Sequence, residues 1–211
     1  MVGQVETDTM DVTVVPPAAL VSALSQAFAY PWNGLGETTV ALRAFRETLS
    51  EGLLLERVTD VLAKSETFDD RTAEQLAYTR LFIGSFKMEA PPYASYYLEE
   101  THTMNGRAAA EVEAVYAQFG LELDPKEIAP ADHLRYLLAF LALMAARYEE
   151  TGELAFAEAY ADFRDEYVLT WIEECATLVD RYAEHPYYPA LMALIVDVLK
   201  NEGGIAAPEG E

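Results

Sequence analysis

Pro130-Ala131-Asp132-His133-Leu134-Arg135-Tyr136-Leu137-Leu138-Ala139-Phe140-Leu141-Ala142-Leu143-Met144 is the stretch on which the fold turns. Its opening is polar, with Asp132 and His133 side by side, and from Tyr136 to Ala146 every residue is apolar. Leu, Ala and Met are strong helix formers, and no glycine or proline interrupts the run. A helix apolar on all sides has to be surrounded by other helices or by lipid. A membrane span takes about 20 apolar residues, more than this run offers. The stretch reads as the central helix of a soluble bundle, with Asp132 and His133 in its first turn.

Helical spacing continues on both sides. Downstream, the central helix ends near Gly152. Phe156, Tyr160, Phe163, Tyr167, Trp171, Cys175, Leu178 and Tyr182 then step by three or four, which predicts one long amphipathic helix broken at most once. His185-Pro186 ends it, and Pro189 opens a last helix to Lys200. Upstream, Asp124-Pro125-Lys126-Glu127 has the order of a capped helical turn. Before it come a helix from Asn105-Gly106 to Gly120, a short helix over 95–102 and a loop from Gly84 to Pro92. Earlier still, Asp69 or Asp70 caps a helix running to Ile83. Segments 37–50 and 51–64 are helical, Pro31 to Gly34 is a turn, and Pro16-Pro17 opens a first helix with Leu20, Leu24 and Phe28 on one face. No run alternates with period two. The expectation is an all-α, single-domain helical bundle over 16–201, between a loose arm (1–15) and a polar tail (202–211).

Composition narrows the function. The 211 residues are 52% hydrophobic, enough for a sizeable core, and carry 36 acidic against 14 basic side chains, a formal charge of −22. Such a surface repels nucleic-acid phosphates and attracts a basic partner. The same charge, with only four lysines, also fits an adaptation to solubility in high salt. One cysteine, Cys175, rules out an internal disulfide and a four-cysteine zinc site, and its place in an apolar stripe makes it a small core residue. The first ten residues have neither the basic start nor the apolar run of a signal peptide. A cytoplasmic location is the expectation.

Four groups of residues are candidates for chemistry. Asp132 at a helix start is favoured by the helix dipole, and two readings stand: helix-start chemistry with a satisfied His133, or a charged binding point at the rim of an apolar groove. A carboxylate there suits a guanidinium, which it can hold by two parallel hydrogen bonds. Glu99-x-x-His102 has the spacing of half a di-iron carboxylate site, but no second Glu-x-x-His occurs. His185 beside Pro186 reads as a cap or surface residue. No Gly-x-Gly-x-x-Gly, Walker lysine loop or Gly-x-Ser-x-Gly is present. Tyr93, Tyr96 and Tyr97 beside Pro91-Pro92 make either a plain turn or a peptide-contact surface. These residues leave three functions open: a peptide-binding module, a helical metal-dependent enzyme using Glu99, His102, Asp132 and His133, or a helical regulator that dimerises through apolar surface.

The order of motifs adds a resemblance. Tyr78-Thr-Arg-Leu81-Phe82-Ile-Gly84 is followed by Ala90-Pro91-Pro92-Tyr93-Ala94-Ser95-Tyr96-Tyr97, then Met104-Asn-Gly106, Tyr116, Gly120, Pro130-Ala-Asp132-His133-Leu134, Trp171 and Tyr187-Tyr188. Over residues 17–200 this resembles the TorD/DmsD/NarJ family of redox-enzyme maturation chaperones. The resemblance implies a cytoplasmic all-α chaperone without catalysis; with three scattered histidines and one cysteine no metal or cofactor is expected, and monomer and homodimer both stay open. It implies as partner the catalytic subunit of a molybdopterin oxidoreductase, bound commonly by its twin-arginine leader until cofactor insertion is complete. Carried over by position, Tyr78, Leu81, Phe82, Pro92, Ser95, Asp132 and His133 lie on or near the leader-binding surface. Three positions depart from the family pattern: Ala129 and Leu137 stand where glutamates are usual, and Tyr167 where a histidine is common. They make the site more apolar.

Overall fold

The computed structural model describes residues 14–200, apart from 85, 86, 125, 127 and 128. The described residues form ten α-helices and no strand: α1 (Ala18–Ala27), α2 (Gly36–Arg46), α3 (Leu53–Ser65), α4 (Arg71–Tyr78), α5 (Ala94–Leu98), α6 (Arg107–Gln118), α7 (Leu134–Thr151), α8 (Leu154–Tyr167), α9 (Ile172–Tyr182) and α10 (Tyr187–Leu199). The all-α expectation holds. No helix among the described residues is long and apolar enough to cross a membrane.

α7 is the centre that its sequence demands. Leu134, Leu137, Leu138, Leu141 and Ala145 are fully buried, and between 134 and 146 only Ala139 is exposed. α1 packs along one side of it and α8 along another; α1 in turn meets α2, α2 meets α3, and α3 lies on α10, which also contacts α9. Gly152 ends α7 in the left-handed conformation at φ +69°, returning its N–H to the Tyr148 carbonyl at 2.8 Å. Asp70 caps α4, accepting the Ala73 N–H at 2.9 Å. α4 then widens into a π-helical turn over Thr79–Ile83. That turn directs both Leu81 and Phe82 into the core, and it closes at Gly84, φ +67°, where a Cβ would collide with the Lys87 carbonyl.

The stripe from Phe156 to Tyr182 is broken once, as its spacing allowed, into α8 and α9; at the break the Trp171 indole N–H takes the Tyr167 carbonyl at 2.6 Å. Three sequence expectations are corrected. The last helix starts at Tyr187 rather than Pro189; a proline in the first turn removes an N–H that has no helical partner anyway. The helix expected over 95–102 stops at Leu98, since Glu99 turns extended to cap α6, accepting the Ala108 N–H at 3.2 Å. Asp132 and His133 precede α7 instead of forming its first turn, His133 being the N-cap. The capped turn at Asp124–Glu127 lies largely outside the described residues, although Asp124 Oδ1 accepts the Lys126 N–H at 2.9 Å. The arm and tail, save Val14 and Val15, also lie outside them.

Candidate functional site

The entrance of α7 is held by the loop that leads into α5. Tyr93 and His133 form an isolated antiparallel bridge. Leu134 donates its N–H to the Pro92 carbonyl at 2.8 Å and Ala94 donates to the Asp132 carbonyl at 3.1 Å. Between them the Asp132 side chain is buried and bonds to Ser95. Its Oδ2 accepts the Ser95 N–H at 2.7 Å and the Ser95 hydroxyl at 2.5 Å, both short, as charge-assisted bonds are. Asp132 and Ser95 have no solvent exposure at all. Oδ1 of Asp132 is buried and has no hydrogen-bond partner among the described residues. The tyrosines around the carboxylate register it: burial, and then the Asp132 charge, raise the phenols of Tyr93 and Tyr116 above their ordinary value.

His133 is neutral. Burial, and then the neighbouring Arg135 charge, push its imidazole down to about 3. Its Nδ1 accepts the Arg135 backbone N–H at 3.0 Å, so the ring proton sits on Nε2. Tyr93 meets the ring edge-on at 4.9 Å.

An aromatic nest lies beside this entrance. Tyr78 donates its phenol to the Phe28 carbonyl at 2.9 Å and contacts Tyr30, Phe82 and Tyr188 edge-on at 5.5, 5.1 and 6.1 Å. Phe82 reaches Phe28 and Tyr188. Burial raises the Tyr78 phenol, which also senses Tyr93, Arg135 and Tyr136 at the entrance. The Ala90 N–H bonds to the Leu81 carbonyl at 2.9 Å and joins the two regions.

All seven residues singled out from the sequence, Tyr78, Leu81, Phe82, Pro92, Ser95, Asp132 and His133, are buried in this state. The structure brings Ser95, Asp132 and His133 together with Pro92, and Tyr78 with Phe82. Tyr30 and Arg135 were not singled out. Tyr30 follows α1 with no local motif, and Arg135, whose guanidinium lies 5.6 Å from the Tyr136 ring centre, looks like ordinary helix surface in the sequence. Glu99 and His102 have local partners instead: Glu99 caps α6, and His102 Nδ1 lies 2.8 Å from the Tyr96 carbonyl. Among the described residues no three His, Cys, Asp or Glu side chains converge as a metal site would require. His185 caps α10, its Nδ1 accepting the Tyr187 N–H at 3.3 Å, and it stacks on Phe68 at 3.6 Å. Cys175 is fully buried, its thiol pushed up to about 12 by burial, as an inert core cysteine should be.

The described residues thus form a helical bundle with a clipped, aromatic-flanked helix entrance. Residues 25–177 match the family described as nitrate reductase delta subunit. Chaperone protein TorD of Vibrio parahaemolyticus is 30% identical over 171 residues, which span 77% of this chain and 80% of that protein. Chaperone protein TorD of a Psychrobacter species is 28% identical over 137 residues, 63% of this chain and 62% of that one. A crystal structure described as a redox enzyme maturation protein of Archaeoglobus fulgidus has the same fold, with a TM-score of 0.61 at 23% identity over 87% of this chain and 93% of that chain. The chain belongs to the nitrate reductase delta subunit family, the TorD/NarJ family of maturation chaperones. It is a chaperone and not an enzyme.

Proposed function

We propose that this chaperone binds, in the cytoplasm, the twin-arginine leader or a comparable apoprotein segment of a molybdopterin oxidoreductase catalytic subunit. It holds that segment until the cofactor is inserted and the subunit is exported. The observation that carries this reading is the Asp132 carboxylate, whose Oδ1 is buried with no donor among the described residues, beside an aromatic nest. A guanidinium offers the donors that such an oxygen lacks. The apolar stretch after the arginines would dock against Pro92, Tyr78, Leu81 and Phe82 once they are uncovered, with His133 capping the helix start and Ser95 holding the carboxylate until a ligand takes its place. Arg135 puts a like charge at the same entrance. The net charge of −22 outweighs it at long range and favours encounter with a basic segment.

Titration calorimetry tests the reading with a synthetic twin-arginine leader of a molybdopterin oxidoreductase. Asp132→Asn keeps an acceptor for Ser95 but loses the charge. It should bind about 1.5–3 kcal/mol more weakly, the scale of a hydrogen bond to a charged group. Equal affinities, both in the wild-type background and in a Ser95→Ala background where that hydroxyl no longer competes for the carboxylate, would remove Asp132 from the site. No binding by the wild type would reject the leader as the ligand.

A further inference from the structure

We infer that Ser95 is the latch of this site: its hydroxyl holds Asp132 in a closed state, and a ligand reaches the carboxylate only when the Pro91–Ser95 loop lifts from the start of α7. The inference rests on the reading of Asp132 as the ligand contact, and adds how that contact is regulated. Asp132 is fully buried, so no guanidinium can touch it in the state described. Few hydrogen bonds fasten the covering loop to α7, although Pro91, Pro92 and Ala94 are themselves buried. The loop is fastened to the α7 entrance by Leu134 N–H to Pro92 O at 2.8 Å, Ala94 N–H to Asp132 O at 3.1 Å and the two Ser95 bonds at 2.7 and 2.5 Å. These span a single bridge rather than a ladder, so breaking them frees at most the first turn of α5, to which Ala94 and Ser95 belong. α7 itself cannot be the moving part, because Leu134, Leu137 and Leu138 are locked in the core.

The closed state is also poised. One carboxylate oxygen takes two short bonds from a single residue, while the other has no donor among the described residues. A buried acceptor left unmet works against the state that buries it. Opening hydrates Oδ1 and frees Oδ2, and an incoming guanidinium then replaces Ser95 as the donor. The affinity observed for a ligand of a part-time open site is reduced by the fraction of time it is open. Removing the Ser95 hydroxyl should therefore tighten binding. A serine that merely positions the carboxylate for the ligand, or merely supports the fold, predicts the opposite sign.

Two measurements on the full chain decide it. Amide hydrogen exchange needs no ligand. In Ser95→Ala the N–H groups of Ala94, Ser95 and Leu134 should exchange about tenfold faster or more, the equivalent of one charge-assisted hydrogen bond, while the α7 amides from 138 to 145 stay as in wild type. Ser95→Cys, similar in size with a weaker donor, should fall between. Calorimetry against the same leader should then give tighter binding in the order Ser95→Ala, Ser95→Cys, wild type. Unchanged exchange at the three amides would overturn the latch. So would faster exchange accompanied by weaker binding. If wild type and both variants bind no leader, the ligand assignment fails, and the exchange order still decides whether Ser95 keeps the loop closed.

Discussion

His133 caps α7 with a ring that must stay neutral. In the unfolded chain a histidine titrates near its ordinary value of about 6.5, whereas in the folded protein burial and Arg135 depress it to about 3. The folded state therefore binds fewer protons between these values. Its stability is fully present above pH 6.5 and falls as pH is lowered towards 3, by at most about 1.4 kcal/mol per pH unit from this residue. His133→Asn retains a good N-cap acceptor and cannot titrate. Urea unfolding at pH 7, 6, 5 and 4.5 should show the wild type losing its advantage over the variant as pH falls; carboxylates and His185 are common to both and cancel. Parallel curves would mean that His133 is solvated and free to protonate. At this scale the sequence was only partly readable. Asp132 and His133 stood out as a pair, but the partner that decides what Asp132 does, Ser95, is 37 residues away. No spacing rule links the two, because a loop rather than a helix turn brings them together.

The helices themselves were largely written in the apolar spacing. α7 could be recognised because an unbroken apolar run can only be a buried helix or a lipid one. One break in the stripe after it was allowed for, but its place between α8 and α9 could not be read, because Phe163, Tyr167, Trp171 and Cys175 keep helical spacing straight through it, and the indole hydrogen bond at the break has no sequence signature. The contact between α3 and α10 was equally hidden. There Arg57 Nε donates to Asp197 Oδ2 at 2.6 Å, across 140 residues. The two partners differ in exposure: the Arg57 side chain is 40% exposed and that of Asp197 9%. The consequences of removing each should differ in the same way. Asp197→Asn leaves an arginine that can turn to water and an amide that can still accept, and should cost under about 1 kcal/mol. Arg57→Ala strands a buried carboxylate, and should cost about 2–3 kcal/mol, below the range for fully buried pairs. Denaturant titration of the two variants checks the order. A larger loss from Asp197→Asn would show that the arginine, not the carboxylate, is the group that cannot reach solvent.

At the scale of the molecule the dominant physical fact is the excess of 36 acidic over 14 basic side chains. The ion pairs that oppose it are mostly on the surface: Arg43–Glu66 at 2.8 Å and Arg147–Glu150 at 3.3 Å each have both partners at least half exposed. Exposed pairs of this kind contribute about 0–1 kcal/mol each. A chain of this length has a radius of gyration of about 17 Å. At about 0.01 M salt the screening length is about 30 Å, so nearly every charge feels every other; at 0.15 M it is about 8 Å, and only neighbours interact. Raising salt over this range therefore removes long-range repulsion summed over the whole surface, and weakens only a few short pairs. Repulsion should win, and the folded state should gain stability. Each kcal/mol gained moves the melting temperature of a protein this size by about 2–4 °C. Sodium chloride below about 0.15 M suits the test, since strongly excluded ions such as sulfate would stabilise any fold. A rising melting temperature at pH 7 is the expected outcome, and the rise should shrink towards pH 4, where carboxylates begin to protonate. A melting temperature that falls with salt at pH 7 would mean that the surface pairs, and not the net charge, govern the electrostatics of the fold. Any attraction of a basic leader should weaken over the same salt range, because the same field produces both effects. A contact at buried Asp132 should keep most of its contribution, since buried pairs are screened far less. The difference in binding free energy between wild type and Asp132→Asn should therefore stay nearly constant with salt, while the absolute affinity of both declines.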